Sequence, residues 1–287
     1  MISDLPHIPN YAIRYLIAEG GTARVYWGID LRSGYAVAIK ELKTRAQQND
    51  IIRKNFKEIE AGLYLYLNHP NIPRLIDYLD YLDINKHLYI VMEYVEGKNL
   101  EEYIYSVNGL IPEEKALPMF LKILDAVGYM HSKGFLHLDI KPSNIMLTQN
   151  GDIKLIDLGI ASKLNNSSTS TGYGTTAYMA PEQSAMGHCG VYTDVFALGI
   201  LLFEMLTAHL PFYSNNPNPK EARDEIRYKI KYSPTPEMRS YYPFINHDLQ
   251  SIVNKALEKE PVCRYQCCEE FRKAILDYET NKTRQLL

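Results

Sequence analysis

Cysteine is scarce in this chain of 287 residues: there are four, at positions 189, 263, 267 and 268, too few for a disulfide framework. A zinc centre needs four ligands at workable spacing, which Cys263, Cys267 and Cys268 with His188 or Cys189 would supply only by coincidence; reduced thiols packed on a helix are the expectation. An excess of one charge is missing too. Lys and Arg number 31 against 34 Asp and Glu, a net charge of -3, and the basic residues are scattered, so no nucleic-acid face is expected. Long hydrophobic runs are absent: the longest, 195–206, is shorter than a bilayer span and contains Glu204. The first residues lack a charged-then-apolar leader, so neither membrane insertion nor export is expected and the chain is assigned to the cytoplasm. What is present, 46% hydrophobic and 23% charged residues, is the composition of a globular protein with a substantial core.

Over residues 11–95 apolar side chains alternate with a period of two, as in Ala36-Val37-Ala38-Ile39 and Leu88-Tyr89-Ile90-Val91-Met92. One helical stretch interrupts them at 50–67, with Phe56, Ile59, Leu63 and Leu67 along one face. After Glu96-Gly97-Lys98 the pattern becomes helical, over 117–132, 193–207, 220–231 and 249–257. The chain therefore reads as α+β in two lobes, a small sheet lobe with one helix at residues 1–95 and a larger, mainly helical lobe at 96–287. Its one low-complexity patch, residues 165–172, is rich in Ser, Thr and Asn and reads as a loop.

The chemistry is concentrated in His137-Leu138-Asp139-Ile140-Lys141-Pro142-Ser143-Asn144, followed by Asp157-Leu158-Gly159. A proton acceptor, a cation, an amide and a second carboxylate at this spacing suit phosphoryl transfer from a nucleotide, where a protein must position a hydroxyl, neutralise phosphate charge and hold a metal ion. These segments resemble the catalytic loop and metal-binding turn of eukaryotic-type serine/threonine protein kinases, with bacterial members as the nearest kind.

The resemblance implies a two-lobed kinase fold whose small lobe is an antiparallel sheet. It implies transfer of the γ-phosphoryl of ATP to protein Ser/Thr hydroxyls, autophosphorylation through transient self-association, and a Mg²⁺ ion, with Mn²⁺ as the alternative. In catalysis, Asp139 would accept the hydroxyl proton, Lys141 would neutralise the γ-phosphoryl and Thr175 would brace both; Asn144 and Asp157 would hold the metal. For the nucleotide, Ile17, Gly20, Gly21 and Val25 stand where kinases carry a phosphate-covering loop, and Lys40, paired with Glu60, would reach the α- and β-phosphates. Ala38 and Met92 would flank the adenine, Glu93 and Val95 would pair with its edge, Met146 would floor the pocket and Asn99 would meet the ribose. Ala180-Pro181-Glu182 would close the peptide-receiving segment, with Glu182 buried against Arg264. Asp194 would fix the catalytic loop through backbone N–H groups, or cap a helix.

Three departures from the pattern bear on this reading. Ala18 and Ala23 replace two glycines of the phosphate loop, and alanine restricts positive φ, so the loop is expected to be stiffer. Leu138 stands where many members have an arginine that binds a loop phosphate, which predicts an active arrangement without that phosphate. Leu158 replaces a phenylalanine and keeps an apolar plug against His137, Tyr64 and Leu75. The competing classes are a pseudokinase, supported by the two alanines, and a small-molecule phosphotransferase, opposed by Thr175, Ala180-Pro181-Glu182, Asp194 and Arg264.

Overall fold

The structure, a computed structural model, describes residues 5–60, 66–81, 87–107, 110–158, 161–163 and 175–286. By its internal contacts the chain divides into two units, Met1–Glu96 and Gly97–Leu287.

The first unit is built on strands β1 (Tyr11–Glu19), β2 (Ala23–Asp30), β3 (Ala36–Leu42), β4 (Leu75–Tyr81) and β5 (His87–Glu93). They form one antiparallel sheet in the order β1-β2-β3-β5-β4. Val37 and Ile39, fully buried, turn to one face with Tyr26 and Val91 and form the core with Ile8, Tyr11 and Tyr89. The period of two then dictates the other face. Ala38 pairs across to Trp27 and Met92, and Lys40 to Val25 and Ile90, so Val25, Ala38, Lys40 and Met92 share one side of the sheet.

Helices α1 (Thr44–Gln47) and α2 (Asp50–Lys54) follow β3. Helix is found where one was expected, from 50 to 60 and again at 66, with residues 61–65 outside the described ones; within it α2 runs into a π-helical turn, Asn55–Glu60. A π turn takes up an extra residue and shifts the phase of the apolar face, which a 3.6-residue period does not register. Phe56 and Leu67 are buried as expected, while Leu63 and Tyr64 lie outside the described residues.

The second unit begins with β6 (Gly97–Asn99) and α3 (Leu100–Ser106), then α4 (Glu113–Ser132) and β7 (Phe135–Leu136). A hairpin follows, β8 (Ile145–Thr148) and β9 (Ile153–Leu155), with β6 alongside β8, and β10 (Ser162–Lys163) pairs with β7. Gly97 is required where it stands: its φ is +157°, and a Cβ there would sit 2.0 Å from the Leu147 carbonyl oxygen. The remaining helices are α5 (Pro181–Ser184), α6 (Val191–Thr207), α7 (Pro219–Tyr232), α8 (His247–Ala256) and α9 (Cys268–Leu286).

Helix α6 is the core of this unit, buried on every side, which explains its continuous apolar run. Helix α4 buries Leu117, Phe120, Leu124 and Val127 at three- and four-residue spacing, and Phe120 meets Phe271 of α9 edge-on at 5.3 Å. Each such side chain is worth roughly 2 kcal/mol on burial. No helix among the described residues is long and apolar enough to cross a membrane.

Candidate active site

In the first unit Lys40 of β3 forms a buried ion pair with Glu60 at the end of the π turn. Lys40 is 8% exposed and Glu60 2%, so either alone would carry a large desolvation cost that the pair offsets. In the turn between β1 and β2 a Cβ placed on Gly20 would lie 3.8 Å from the Ala23 carbonyl oxygen, and one on Gly21 would meet no atom within 4 Å. None of Ala18, Gly20, Gly21 and Ala23 has a positive φ, so the turn accommodates alanine at 18 and 23 without backbone strain. Lys43 ties it down, its Nζ donating to the Gly20 carbonyl at 2.6 Å and pairing with Glu19. Ile17 sits at an irregularity in the β1–β2 pairing and is exposed. Met92 and Val95 are buried, and the Glu93 carboxylate accepts the Arg74 amide at 3.1 Å.

In the second unit the catalytic segment is organised by Asp194 on α6. Its Oδ2 accepts the His137 amide and its Oδ1 the Leu138 amide, each at 2.8 Å. His131 Nε2 lies 2.8 Å from Oδ2. Burial pushes the Asp194 carboxyl up, but His131 and the amides outweigh it and hold it below the ordinary carboxylate range. Leu138 has φ +65°, a left-handed conformation that costs about 1–2 kcal/mol for a residue with a Cβ. Bonds on both sides of it sustain the strain: its amide to Asp194, and its carbonyl accepting Gln183 Nε2 at 2.8 Å. His137 is fully buried, which lowers its pKa and keeps it neutral; its Nδ1 accepts the Asp139 amide at 3.2 Å.

Around Asp139 the structure gathers three of the residues singled out by sequence, Lys141, Asn144 and Thr175. Oδ2 is 2.8 Å from Lys141 Nζ and accepts Asn144 Nδ2 at 3.1 Å. Oδ1 accepts the Thr175 amide at 3.2 Å and its hydroxyl at 3.4 Å, and Lys141 Nζ donates to Thr175 Oγ1 at 2.8 Å. Lys141 therefore bridges the carboxylate and the hydroxyl, and the network fixes the direction in which Asp139 faces.

Asn144 spends its side-chain nitrogen on Asp139, donating to both the backbone carbonyl at 2.8 Å and the carboxylate. That leaves its oxygen for a cation. Asp157, exposed and at φ +63°, follows β9, and the Ile156 amide donates to the Asn144 carbonyl at 2.8 Å, so the β8–β9 hairpin holds both residues. One amide oxygen and one carboxylate form a donor set of the hard-oxygen kind that Mg²⁺ takes, with water and phosphate completing its shell.

Asn99 is placed as the N-cap of α3, its Oδ1 accepting the Glu102 amide at 2.8 Å while the Glu102 carboxylate accepts the Asn99 amide. It pairs with half-buried Met146 across β6 and β8.

Beyond these, Arg264 is buried against Glu182 in a two-pronged pair at 2.8 and 2.9 Å, and its other N–H groups donate to the carbonyls of Tyr192, Glu258 and Lys259. All five guanidinium donors are used. The sequence reading overlooked two residues. Glu204, half-buried on α6, accepts the Tyr178 hydroxyl at 2.6 Å, and desolvation raises its carboxyl to about 7. His131 supports Asp194. The signal for Glu204 was a carboxylate inside an apolar run, since a buried charge requires a partner; His131 had none. Residues 164–174, including the hydroxyl-rich patch, lie outside the described residues.

The family model for the protein kinase domain matches residues 11–274. A probable serine/threonine-protein kinase of Streptomyces coelicolor is 37% identical over 270 residues, covering 92% of this chain and 39% of that protein. The serine/threonine-protein kinase PrkC of Bacillus subtilis is 36% identical over 270 residues (93% and 40%), and PknB of Mycolicibacterium smegmatis 32% over 274 residues (93% and 42%). The chain spans about two fifths of the length of these curated relatives. With a match over nearly its whole length, and with a sheet unit and a helical unit of the expected kinds, the chain belongs to the protein kinase domain family.

Proposed function

We propose that this chain transfers the γ-phosphoryl of ATP to serine and threonine hydroxyls of proteins, its own included, and that it works in the cytoplasm. The observation that carries the reading is Asp139, held on both oxygens by Thr175, Lys141 and Asn144.

Asp139 accepts the hydrogen bond of the acceptor hydroxyl and takes its proton late, once charge has moved toward the leaving oxygen, so its carboxylate needs orientation more than basicity. Lys141, already within reach of that carboxylate, neutralises the transferred group. Asn144 and Asp157 would hold Mg²⁺, which when bound would offset phosphate charge. Lys40, kept extended by Glu60, pairs with the α- and β-phosphates, and the turn at Gly20 and Gly21 covers them with backbone N–H groups. From the first unit Ile17, Val25, Ala38 and Met92 would line the base and Glu93 and Val95 would offer backbone groups to its edge; in the second unit Met146 and Asn99, the latter engaged as a cap, are the residues that the resemblance assigns to the base and the ribose.

The test is transfer from labelled ATP to the chain itself and to a basic protein substrate, with Asp139→Asn alongside. A loss of at least about a hundredfold is expected for the variant, the range of a missing general base. Equal signal from both proteins would refute the assignment.

A further inference from the structure

Between α4 and α9 the second unit holds a cavity of about 290 Å³ lined by Leu124, Gly128, His131, Cys267, Cys268 and Arg272. Two adjacent thiols border it at the start of α9, Cys268 buried and Cys267 half-buried. Gly128, one turn before His131 on α4, makes room for them: a Cβ there would lie 3.3 Å from the Cys268 Cβ. His131 Nδ1 lies 3.6 Å from Cys268 Sγ, and its Nε2 faces the Asp194 oxygen that also accepts the His137 amide. In the tautomer that carries its proton on Nε2, toward the carboxylate, Nδ1 accepts and the Cys268 thiol donates. Burial raises the Cys268 thiol well above its ordinary value, so it stays protonated. A continuous chain of polar contacts thus runs from the cavity wall to the catalytic segment.

We propose that this cavity is a thiol-modification site, in which Cys267 takes a mixed disulfide from a small-molecule disulfide and the adduct loosens the Asp194 clamp through Cys268 and His131. The Cys267 sulfur, as thiolate, attacks one sulfur of the small disulfide. A new S–S bond forms, the old one breaks, and the departing thiolate takes up the proton that Cys267 lost, so no further oxidant is needed. Cys268, buried and protonated, is not the nucleophile. A bond between the two cysteines is disfavoured, because adjacent Cα atoms lie about 3.8 Å apart, inside the usual range of roughly 4.4–6.8 Å. Arg272, paired with Asp125 at 3.1 Å, and Glu269 also line the cavity, so its charged side chains are one cation and two carboxylates. The effect on phosphoryl transfer rests on the kinase reading; the adduct itself does not.

The experiment uses the Cys263→Ser chain, which removes the one exposed thiol, treated with cystine. Intact mass, peptide mapping, transfer from labelled ATP and the ¹⁵N resonances of the His131 ring are followed together. Expected are one half-cystine on Cys267, a shifted His131 signal and a roughly fivefold fall in rate, the effect of one weakened hydrogen bond, reversed by dithiothreitol. The further variant Cys267→Ser takes no adduct and keeps its rate. An adduct elsewhere, an adduct on Cys267 that leaves the His131 signal unmoved, or equal inhibition in Cys267→Ser overturns the proposal. A chain inactive before treatment refutes the kinase reading alone, and the His131 signal still decides this one.

Discussion

Asp194 and Leu138, 56 residues apart in sequence, meet through a 2.8 Å bond from the Leu138 amide to Oδ1, and that bond holds a leucine at φ +65°. The carboxylate is an acceptor on both oxygens, whereas an amide offers one oxygen and an NH₂ that would face a backbone N–H. Asp194→Asn is therefore expected to lose about 3 kcal/mol, or roughly 6–12 °C of melting temperature, from a buried charge-assisted site. Calorimetry alongside a transfer assay checks this. An unchanged melting temperature would show that the loop holds its strained turn without Asp194.

Arg264 and Glu182 form a pair whose removal from one side strands a buried charge. Arg264→Lys keeps the charge but cannot reproduce the five-donor fork, and a cost of about 3–5 kcal/mol is expected. Replacing both partners by apolar residues, Glu182→Leu with Arg264→Met, should recover part of that loss. Urea unfolding of the single and double variants measures the difference, and additive losses would contradict the pairing.

The Glu204 carboxyl, raised by burial to about 7 from an ordinary 4.5, makes stability depend on pH in a direction opposite to that of a paired carboxylate. The folded state binds the proton more tightly than the unfolded one, so the contribution is fully present below about pH 4.5 and is lost as pH rises through 7. Glu204→Gln keeps an acceptor for Tyr178 and removes this dependence. The variant is expected to gain on the order of 3 kcal/mol over the parent at pH 8 and nearly nothing at pH 4.5. Urea midpoints of the two proteins across that range test it, and a constant difference would rule out Glu204 as the titrating group.

Leu138 provides no guanidinium for a loop phosphate, so phosphatase treatment is expected to leave most of the transfer rate, within about twofold. Complete loss after phosphatase would show that phosphate on the segment organises the site by another cation.

Period-two alternation located the sheet, and because the strand period is strict it also assigned Ala38 and Lys40 to the face opposite Val37 and Ile39. The run at 195–206 marked a buried helix. The π turn at 55–60 was illegible because its period differs from that of a regular helix, and the cap at Asn99 because capping depends on where the chain enters α3.

Local pattern and motif order, read from the chain itself, determined the small sheet, helices α4, α6, α7 and α8, the family resemblance and the residue types able to do the chemistry, but not α9. Beyond the pairings that the resemblance implied, tertiary structure decided which polar groups face each other. Asp194 is separated by long stretches of chain from both His131 and Leu138, as is Tyr178 from Glu204. Burial makes each of these groups costly unless paired, and folding supplies the partner at a distance that no local spacing encodes.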